Sequence, residues 1–343
     1  MMLLVNMWLG TVDDTPAGQL VLNWEHEANS LKFWRASSNF VYRFEADGGK
    51  PFWLRFVHEA DNSIANIHAE LHYIIYLIER GYAAAPPVPS LNGRLIETIE
   101  TEQGRYYGVV FEQAEGNRVQ ADRMTEDQLQ RWGQSLAQLH LHAADYEVSA
   151  DLTARRSWED TLRFISEVLE RHPNEDAAIA ACRRVEQWLR SLPNGAEHAG
   201  IIHYDFQLDN VFDRAQAEAD AASTRASFGA PFSVIDFDDA MYHWYTMDIA
   251  AALADLDDLE EAQAASARAL FLQGYASIRS LNDHHIDELH HQLPLFRRFS
   301  RLYSYARLLR CIEGLELDGA PEWLIGLHRK VLTWCGGMRE EFS

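Results

Sequence analysis

Cysteine is nearly absent: three residues in 343, Cys182, Cys311 and Cys335. None forms a CxxC pair, and no cysteine spacing matches a structural zinc site. A disulfide framework and a zinc fold are thereby excluded, and a reducing cytoplasm is the expected compartment. No apolar run approaches the ~20 residues of a membrane span. The opening MMLLVNMWLG is apolar, but no Lys or Arg precedes Lys32, so the charged region of a secretory signal is missing. Positive charge is also scarce: 30 Lys plus Arg stand against 52 Asp plus Glu, a formal net charge of −22. The summed field repels nucleic acids and anionic membranes, so neither is an expected partner. Neutral or cationic partners are favoured, and nothing in the sequence points to an oligomeric state.

What is present is a core. With 47% hydrophobic and 11% aromatic residues, the chain can fold as two domains or one bilobed unit. From Ser30 to Phe56 the pattern alternates with period two, and Asp47-Gly48-Gly49 supplies the positive φ of a tight hairpin, predicting three antiparallel strands. Ser63 then caps a helix whose apolar positions Ile64, Ile67, Leu71, Ile74, Ile75 and Ile78 recur at helical spacing up to Gly81. Pro86, Pro87 and Pro89 force an extended connection. Two more strand-like runs follow, GRLIETIE and RYYGVVFE. From about Gly116 the pattern turns helical, with EDQLQRWGQSLAQLHLHA and DAAIAACRRVEQWLRSL the clearest cases. One β segment interrupts it, IIHYDFQLDNVF and FSVIDFDDA, joined by a stretch from Arg214 to Ala230 that reads as a surface loop. The expected architecture is α+β and two-lobed, residues 1–115 forming a β-rich lobe and residues 116–343 a mainly helical one.

The β segment carries the chemistry. His203-Tyr204-Asp205-Phe206-Gln207-Leu208-Asp209-Asn210 is followed, one strand pair later, by Val234-Ile235-Asp236-Phe237-Asp238. Phosphoryl transfer needs a carboxylate to orient and deprotonate the attacking hydroxyl, and oxygen ligands to hold Mg²⁺ against the phosphates. Asp205 supplies the base in this pattern, and Asn210 and Asp236 the metal ligands. Either half alone is a weak signal; the pair at this interval is specific.

With these motifs the sequence resembles the aminoglycoside phosphotransferase and choline kinase superfamily, small-molecule relatives of the protein kinases, over most of its length. The run VIDFDDAMYHWYTMDIAAAL is similar to that family's segment, and the resemblance implies that Asp248 braces the backbone of the catalytic loop. The run Gly133-Gln134-Ser135-Leu136-Ala137-Gln138-Leu139-His140 resembles its Gly-x-x-Leu-Ala-x-Leu-His helix, in which His140 is a packing residue. A protein-kinase-like fold, ATP or GTP as donor and Mg²⁺ as cofactor are what the resemblance implies. Kinases hold the α- and β-phosphates with a cation on the third strand paired to a Glu on the next helix. Arg55 in PFWLRF and Glu70 occupy those places, with arginine where lysine is usual. There is no GxGxxG; the first turn, Arg35-Ala36-Ser37-Ser38-Asn39, resembles the family's Ser/Asn loop and puts Ser37, Ser38 and Asn39 near the phosphates. Gln113 and Ala114, at the lobe boundary, are expected to meet the base with their backbone.

Other features have simpler readings. His284, Glu288 and His291 share a helical face but read as a wet surface, since no HExxH is present. Asp255, Asp257, Asp258, Glu260 and Glu261 read as a solvated helix end, and Asp238 and Asp239 are ambiguous in the same way. Trp244, Tyr245, Tyr303, Tyr305 and Trp323 read as core. The expected activity is transfer of a nucleotide γ-phosphate to a hydroxyl of a small molecule, with a cationic acceptor favoured by the charge balance. A protein Ser/Thr acceptor, or a pseudokinase with DFD in place of DFG, are the rival readings.

Overall fold

A computed structural model describes residues 1–12, 15–148, 155–215 and 231–342. Most of the stretch from Arg214 to Ala230 therefore lies outside the described residues.

Period-two alternation builds the first layer. Strands β1 (Lys32–Ala36), β2 (Phe40–Ala46) and β3 (Lys50–His58) form the antiparallel meander that the pattern predicts. β4 (Pro87–Val88), β5 (Glu97–Thr101) and β6 (Gly104–Glu112) extend it in the order β1-β2-β3-β6-β4, with β5 also on β6. Phe40, Tyr42 and Phe44 of β2 and Phe52, Leu54 and Phe56 of β3 point into the core. Because alternate residues face opposite sides, Val41, Trp53 and Arg55 are left on the other face, which lines the cleft. The register sets Val41 opposite Arg55 and Trp53 opposite Phe111.

Helix α3 (Ile64–Glu79) begins at Ser63, whose hydroxyl accepts the Asn66 N–H. Two elements precede the sheet that the sequence pattern did not announce, α1 (Leu4–Val12) and α2 (Thr15–Val21). Their period is hidden in short apolar stretches that fit several assignments. Leu4, Ala17 and Leu20 are fully buried, so these helices close one side of the sheet.

Beyond the sheet come α4 (Glu126–Ala144), α5 (Trp158–Arg171), α6 (Asp176–Leu189), α7 (Tyr245–Ala254), α8 (Glu261–Arg279), α9 (Asp283–Cys311) and α10 (Glu322–Phe342). Embedded among them are β7 (Asn117–Arg118), β9 (Val211–Asp213) and β10 (Phe232–Val234) in one small sheet, and β8 (Ala199–Ile202) paired with β11 (Met241–Trp244). The protein thus has the two-lobed, kinase-like α+β fold. Of the aromatic residues expected in the core, Trp244, Tyr245, Tyr303 and Tyr305 are buried, but Trp323, at the start of α10, is 46% exposed. It borders a wide apolar groove with Trp8 and Phe33, which a one-dimensional pattern cannot distinguish from core.

Helices α4 and α8 approach most closely where both carry glycine. A Cβ on Gly274 would lie 1.9 Å from the Gln130 carbonyl oxygen, and one on Gly133 2.0 Å from that of Phe271. Neither neighbour can yield, since both are backbone. Gly274→Ala should therefore force the helices apart and cost about 2 kcal/mol or more, within the usual range for overpacking. Urea denaturation at neutral pH checks this; an unchanged midpoint would show that the contact is looser than described.

Candidate active site

The loop between β8 and β9 holds His203 to Asn210, and its shape is imposed from beneath. Asp248, in the first turn of α7, is completely buried, and its carboxylate accepts the His203 N–H at 2.7 Å and the Tyr204 N–H at 2.6 Å. A third contact comes from His140 Nε2 on α4 at 3.1 Å. Since a carboxylate can only accept, that nitrogen carries the proton, and Nδ1 accepts from the Tyr275 hydroxyl at 2.8 Å. Burial lowers the His140 pKa in spite of Asp248, keeping the ring neutral. Tyr204 has φ +71°, a left-handed conformation unfavourable for a large side chain. The Asp248 bonds hold it there and turn the next residue, Asp205, into the cleft. Asn210 Nδ2 donates to Asp205 Oδ2 at 2.8 Å and to its carbonyl at 3.0 Å. Among the described residues no donor reaches Asn210 Oδ1 or Asp205 Oδ1.

Asp236 follows β10 and is not on a strand, as the sequence reading had placed it: it sits in a left-handed turn with φ +67°. Its carboxylate meets Arg35 at 3.0 Å and Arg55 at 3.4 Å. Arg55 Nη2 in turn contacts both Glu70 oxygens at 2.8 Å, and Glu70 is 1% exposed. The Arg55 guanidinium also lies 5.0 Å from the Phe111 ring centroid. Asp205, Asn210, Asp236, Arg55 and Glu70 thus come together around one cleft, as their spacing suggested.

Two cavities open on this cleft. One, of about 270 Å³, is lined by Val41, Trp53, Arg55, Phe111, Gln113 and Ala114. The backbone N–H groups of Gln113 and Ala114 find no acceptor among the described residues. The other, of about 470 Å³, is lined by Ser37, Ser38, Asp205, Asn210, Asp238 and Arg307. Arg35 and Asp236 border both. Ser37 and Ser38 therefore border the second cavity instead of the first. Ser38 Oγ accepts from Arg307 at 2.8 Å, and buried Asn39 donates to Asp238 at 2.7 Å.

Several residues have more to do than the sequence reading gave them. Asp239 is not simply solvated: it is held by Arg156 and, at 2.6 Å, by Arg307. Burial alone would raise its pKa, but these two guanidinium groups hold it well below the usual carboxylate range. Asp238, whose side-chain partner among the described residues is the neutral Asn39 amide, is pushed up to about 6 by burial and by its anionic neighbours Asp236 and Asp239. Asp255 is half-buried and caps the Leu208 N–H at 2.5 Å, and Asp257 bridges Arg268 and Arg297. Arg156 and Arg307 carried no sequence signal, because neither stands in a motif or a periodic position. His284, Glu288 and His291 lie exposed on α9.

The donors offered to a metal here are oxygens, Asp205, Asn210 and Asp236, a set that suits a hard cation such as Mg²⁺. Asn210 Oδ1 is free to serve, whereas both Asp236 oxygens are engaged by arginine. The residues therefore fit a divalent cation, provided Asp236 exchanges one of its ion pairs.

Residues 31–289 match the family model described as "Phosphotransferase enzyme family". The chain belongs to this family. Amicoumacin kinase of Bacillus subtilis (strain 168) is 24% identical over 229 residues, 66% of this chain. That alignment spans 62% of the amicoumacin kinase sequence, under two thirds of its length. Among solved structures, an amicoumacin kinase in complex with AMP-PNP, Ca²⁺ and Ami superposes with a TM-score of 0.74 at 20% identity, covering 96% of this chain and 93% of that one. A microcompartment-associated aminopropanol kinase gives 0.69 at 23% identity, covering 95% of each. These likenesses show the shared fold. None of the described helices is long and apolar enough to cross a membrane.

The geometry of the loop from His203 to Asn210 depends on Asp248, which should be measurable apart from any activity. In Asp248→Asn one backbone N–H faces an amide donor in place of a carboxylate oxygen. Hydrogen bonds to a charged group contribute ~1.5–3 kcal/mol each, so the variant should lose about 3 kcal/mol in urea denaturation. A loss below the error of the measurement would mean that the loop is held by other contacts.

Proposed function

We propose that the protein is a nucleotide-dependent kinase of small hydroxylated molecules, with lobes dividing at residues 115 and 116. The observation that carries this reading is the convergence of Asp205, Asn210 and Asp236 where two cavities meet. In it the 270 Å³ cavity takes the nucleotide, ATP or GTP, with its base against the free N–H groups of Gln113 and Ala114. Arg55, held by Glu70, faces the phosphates, and the turn carrying Ser37, Ser38 and Asn39 stands at the junction with the second cavity, where the γ-phosphate would lie. The acceptor occupies the 470 Å³ cavity. Asp205 accepts the hydroxyl proton as the acceptor oxygen attacks the γ-phosphorus in line. The bond from that phosphorus to the bridging oxygen breaks, and a nucleoside diphosphate leaves. A divalent cation held by Asn210 and Asp236, Mg²⁺ in the cell, supplies neutralisation of the phosphate charge.

The amicoumacin kinase structure with AMP-PNP and Ca²⁺ supports a nucleotide and a divalent cation in this role. The names amicoumacin kinase and aminopropanol kinase support a small-molecule acceptor. The charge distribution supports an amine on it. Asp239 and Asp257 are each matched by two arginines, while Asp238 lines the acceptor side with the neutral Asn39 amide as its side-chain partner among the described residues and can receive a cation.

Asp205→Asn should lower kcat by at least ~10²-fold in a panel of hydroxylated acceptors with ATP and GTP, because a positioned base is lost. The fold should persist, since the amide oxygen can still accept from Asn210. Burial, with Asp239 and Asp238 adding to it and His203 opposing, raises the Asp205 pKa. The base must be ionised, so wild-type kcat/KM should rise with pH through a pKa above the ordinary aspartate range. Kinetics unchanged by the substitution would remove Asp205 from the mechanism.

The acceptor's charge is tested separately, with amino and deaminated acceptors matched in shape. The Debye length shortens from about 10 Å at 0.1 M salt to 3 Å at 1 M. KM for the amine should therefore rise with salt while KM for the neutral analogue holds. Equal salt responses would make the acidic composition a matter of solubility.

A further inference from the structure

Arg155, just ahead of α5, is 3% exposed, yet no carboxylate among the described residues bonds to it. A buried arginine is ordinarily paired with an acid. Here Nε donates to the Ala240 carbonyl at 2.8 Å. Nη1 donates to the Asn66 carbonyl at 3.0 Å and to Asn66 Oδ1 at 3.1 Å. Nη2 donates to the carbonyls of Phe237 at 2.9 Å and Asp238 at 2.6 Å. Guanidinium has five N–H donors in a fixed plane, and five oxygens receive them. Those oxygens belong to two places only: the first turn of α3 and the backbone of residues 237–240.

The neighbouring strand geometry holds the same segment. Tyr242 N–H donates to the Arg156 carbonyl at 2.9 Å, and Ser157 bridges to Tyr242 in parallel register. Residues 155–157 thus run alongside the chain that follows Asp236. Asn66 and Glu70 stand one turn apart on one face of α3. Two bridges therefore join that face to the acidic segment: Glu70 through Arg55 to Asp236, and Asn66 through Arg155 to the 237–240 backbone. The first is made of charged groups, and its Arg55–Asp236 contact is long, at 3.4 Å. Phosphates and a divalent cation compete directly for both members of that contact. The second uses neutral carbonyls and lies behind the segment, out of competition.

We propose that Arg155 is a positioning residue: it registers the backbone of residues 237–240 against α3, so that Asp236 keeps its left-handed conformation and its carboxylate remains placed for a divalent cation when the Arg55 contact is exchanged. This rests on the reading of Asp236 as a metal ligand given above. Lysine retains the charge but offers three donors from one nitrogen and cannot span the five oxygens.

The test is nucleotide binding, followed by tryptophan emission, because Trp34 and Trp53 line the cavity. Binding is titrated with Mg²⁺ and repeated in EDTA, for wild type and Arg155→Lys. Support for a metal ligand is commonly lost at a cost of 10–100-fold in metal affinity. The Mg²⁺ concentration for half-maximal tight binding should rise about tenfold in Arg155→Lys, while affinity in EDTA stays within about twofold. A residue with only a packing role would lower the melting temperature and leave the Mg²⁺ midpoint in place, which would overturn the proposal. Should Arg155→Lys fail to fold, Asn66→Ala removes one acceptor from the same bridge; a few-fold shift in the same direction supports the proposal and an unmoved midpoint overturns it. If wild type itself binds nucleotide without regard to Mg²⁺, the metal-ligand reading of Asp236 falls, and this inference with it. A Mg²⁺-dependent wild type with indifferent variants sinks the inference alone.

Discussion

A single buried carboxylate organises the site. Asp248 has no solvent contact, and its oxygens accept from two backbone N–H groups and one imidazole. An ionised group in such a place is tolerated only when every lone pair in reach is answered. The answer ties together three helices and one loop: α7 supplies the aspartate, α4 the histidine, α8 the tyrosine behind that histidine, and β8 ends in the two amides. Glycines at the α4–α8 crossing let those helices come close enough for His140 to meet Tyr275. The strained backbone of Tyr204 is thus maintained by packing far from the cleft, and the direction of Asp205 follows from it.

The second constraint is charge. Glu70, Asp236, Asp238 and Asp239 are crowded into a small volume, and like charges at such range destabilise one another unless cations are interleaved. Arg35, Arg55, Arg156 and Arg307 do this by direct contact, and Arg155 does it from behind through the backbone. The arginines come from β1, β3, the start of α5 and α9, so the acidic segment gathers elements distant in sequence. Two consequences oppose each other. Asp239, doubly paired, is held anionic, whereas Asp238, paired with the Asn39 amide among the described residues, is pushed up to about 6. Adjacent carboxylates of one tripeptide therefore differ in their readiness to accept a cation, which pairing pattern and not residue type decides.

Much of this was legible in the sequence, and the reasons are local. Strand alternation from Ser30 to Phe56 predicted the strand on which Arg55 lies, on the face away from Phe52, Leu54 and Phe56 in the structure. Helical spacing put Glu70 between Ile67 and Ile74, beside the buried stripe of its helix, and the structure buries it. The Asp205 to Asn210 interval and the following Asp236 carry their own geometry, because a loop between a strand end and a strand start leaves few places for the side chains. The pairing of Arg307 with Ser38, of Arg156 with Asp239, and of Asp255 with the Leu208 amide was not legible. Each joins residues far apart in the chain, where no periodicity relates the two ends. Arg155 was invisible for a further reason: its partners are backbone carbonyls, which every residue possesses. The same limit made Trp323 look like core, since an aromatic at helical spacing reads alike whether another element covers it or not.

Arginine at position 55 fits this arrangement for a geometric reason. One nitrogen of its fork satisfies both Glu70 oxygens while the other reaches Asp236. A lysine ammonium is a compact point charge without that planar reach. A lysine could hold Glu70, but it would leave Asp236 to Arg35 alone, in a cluster already rich in carboxylates. The planar cation therefore answers Glu70 and Asp236 at once. On the function proposed above, binding of a nucleotide with its cation would be an exchange of ion pairs, carboxylate for phosphate at arginine and arginine for metal at Asp236. Such an exchange creates no unpaired buried charge at either end, which is the condition a desolvated cleft imposes.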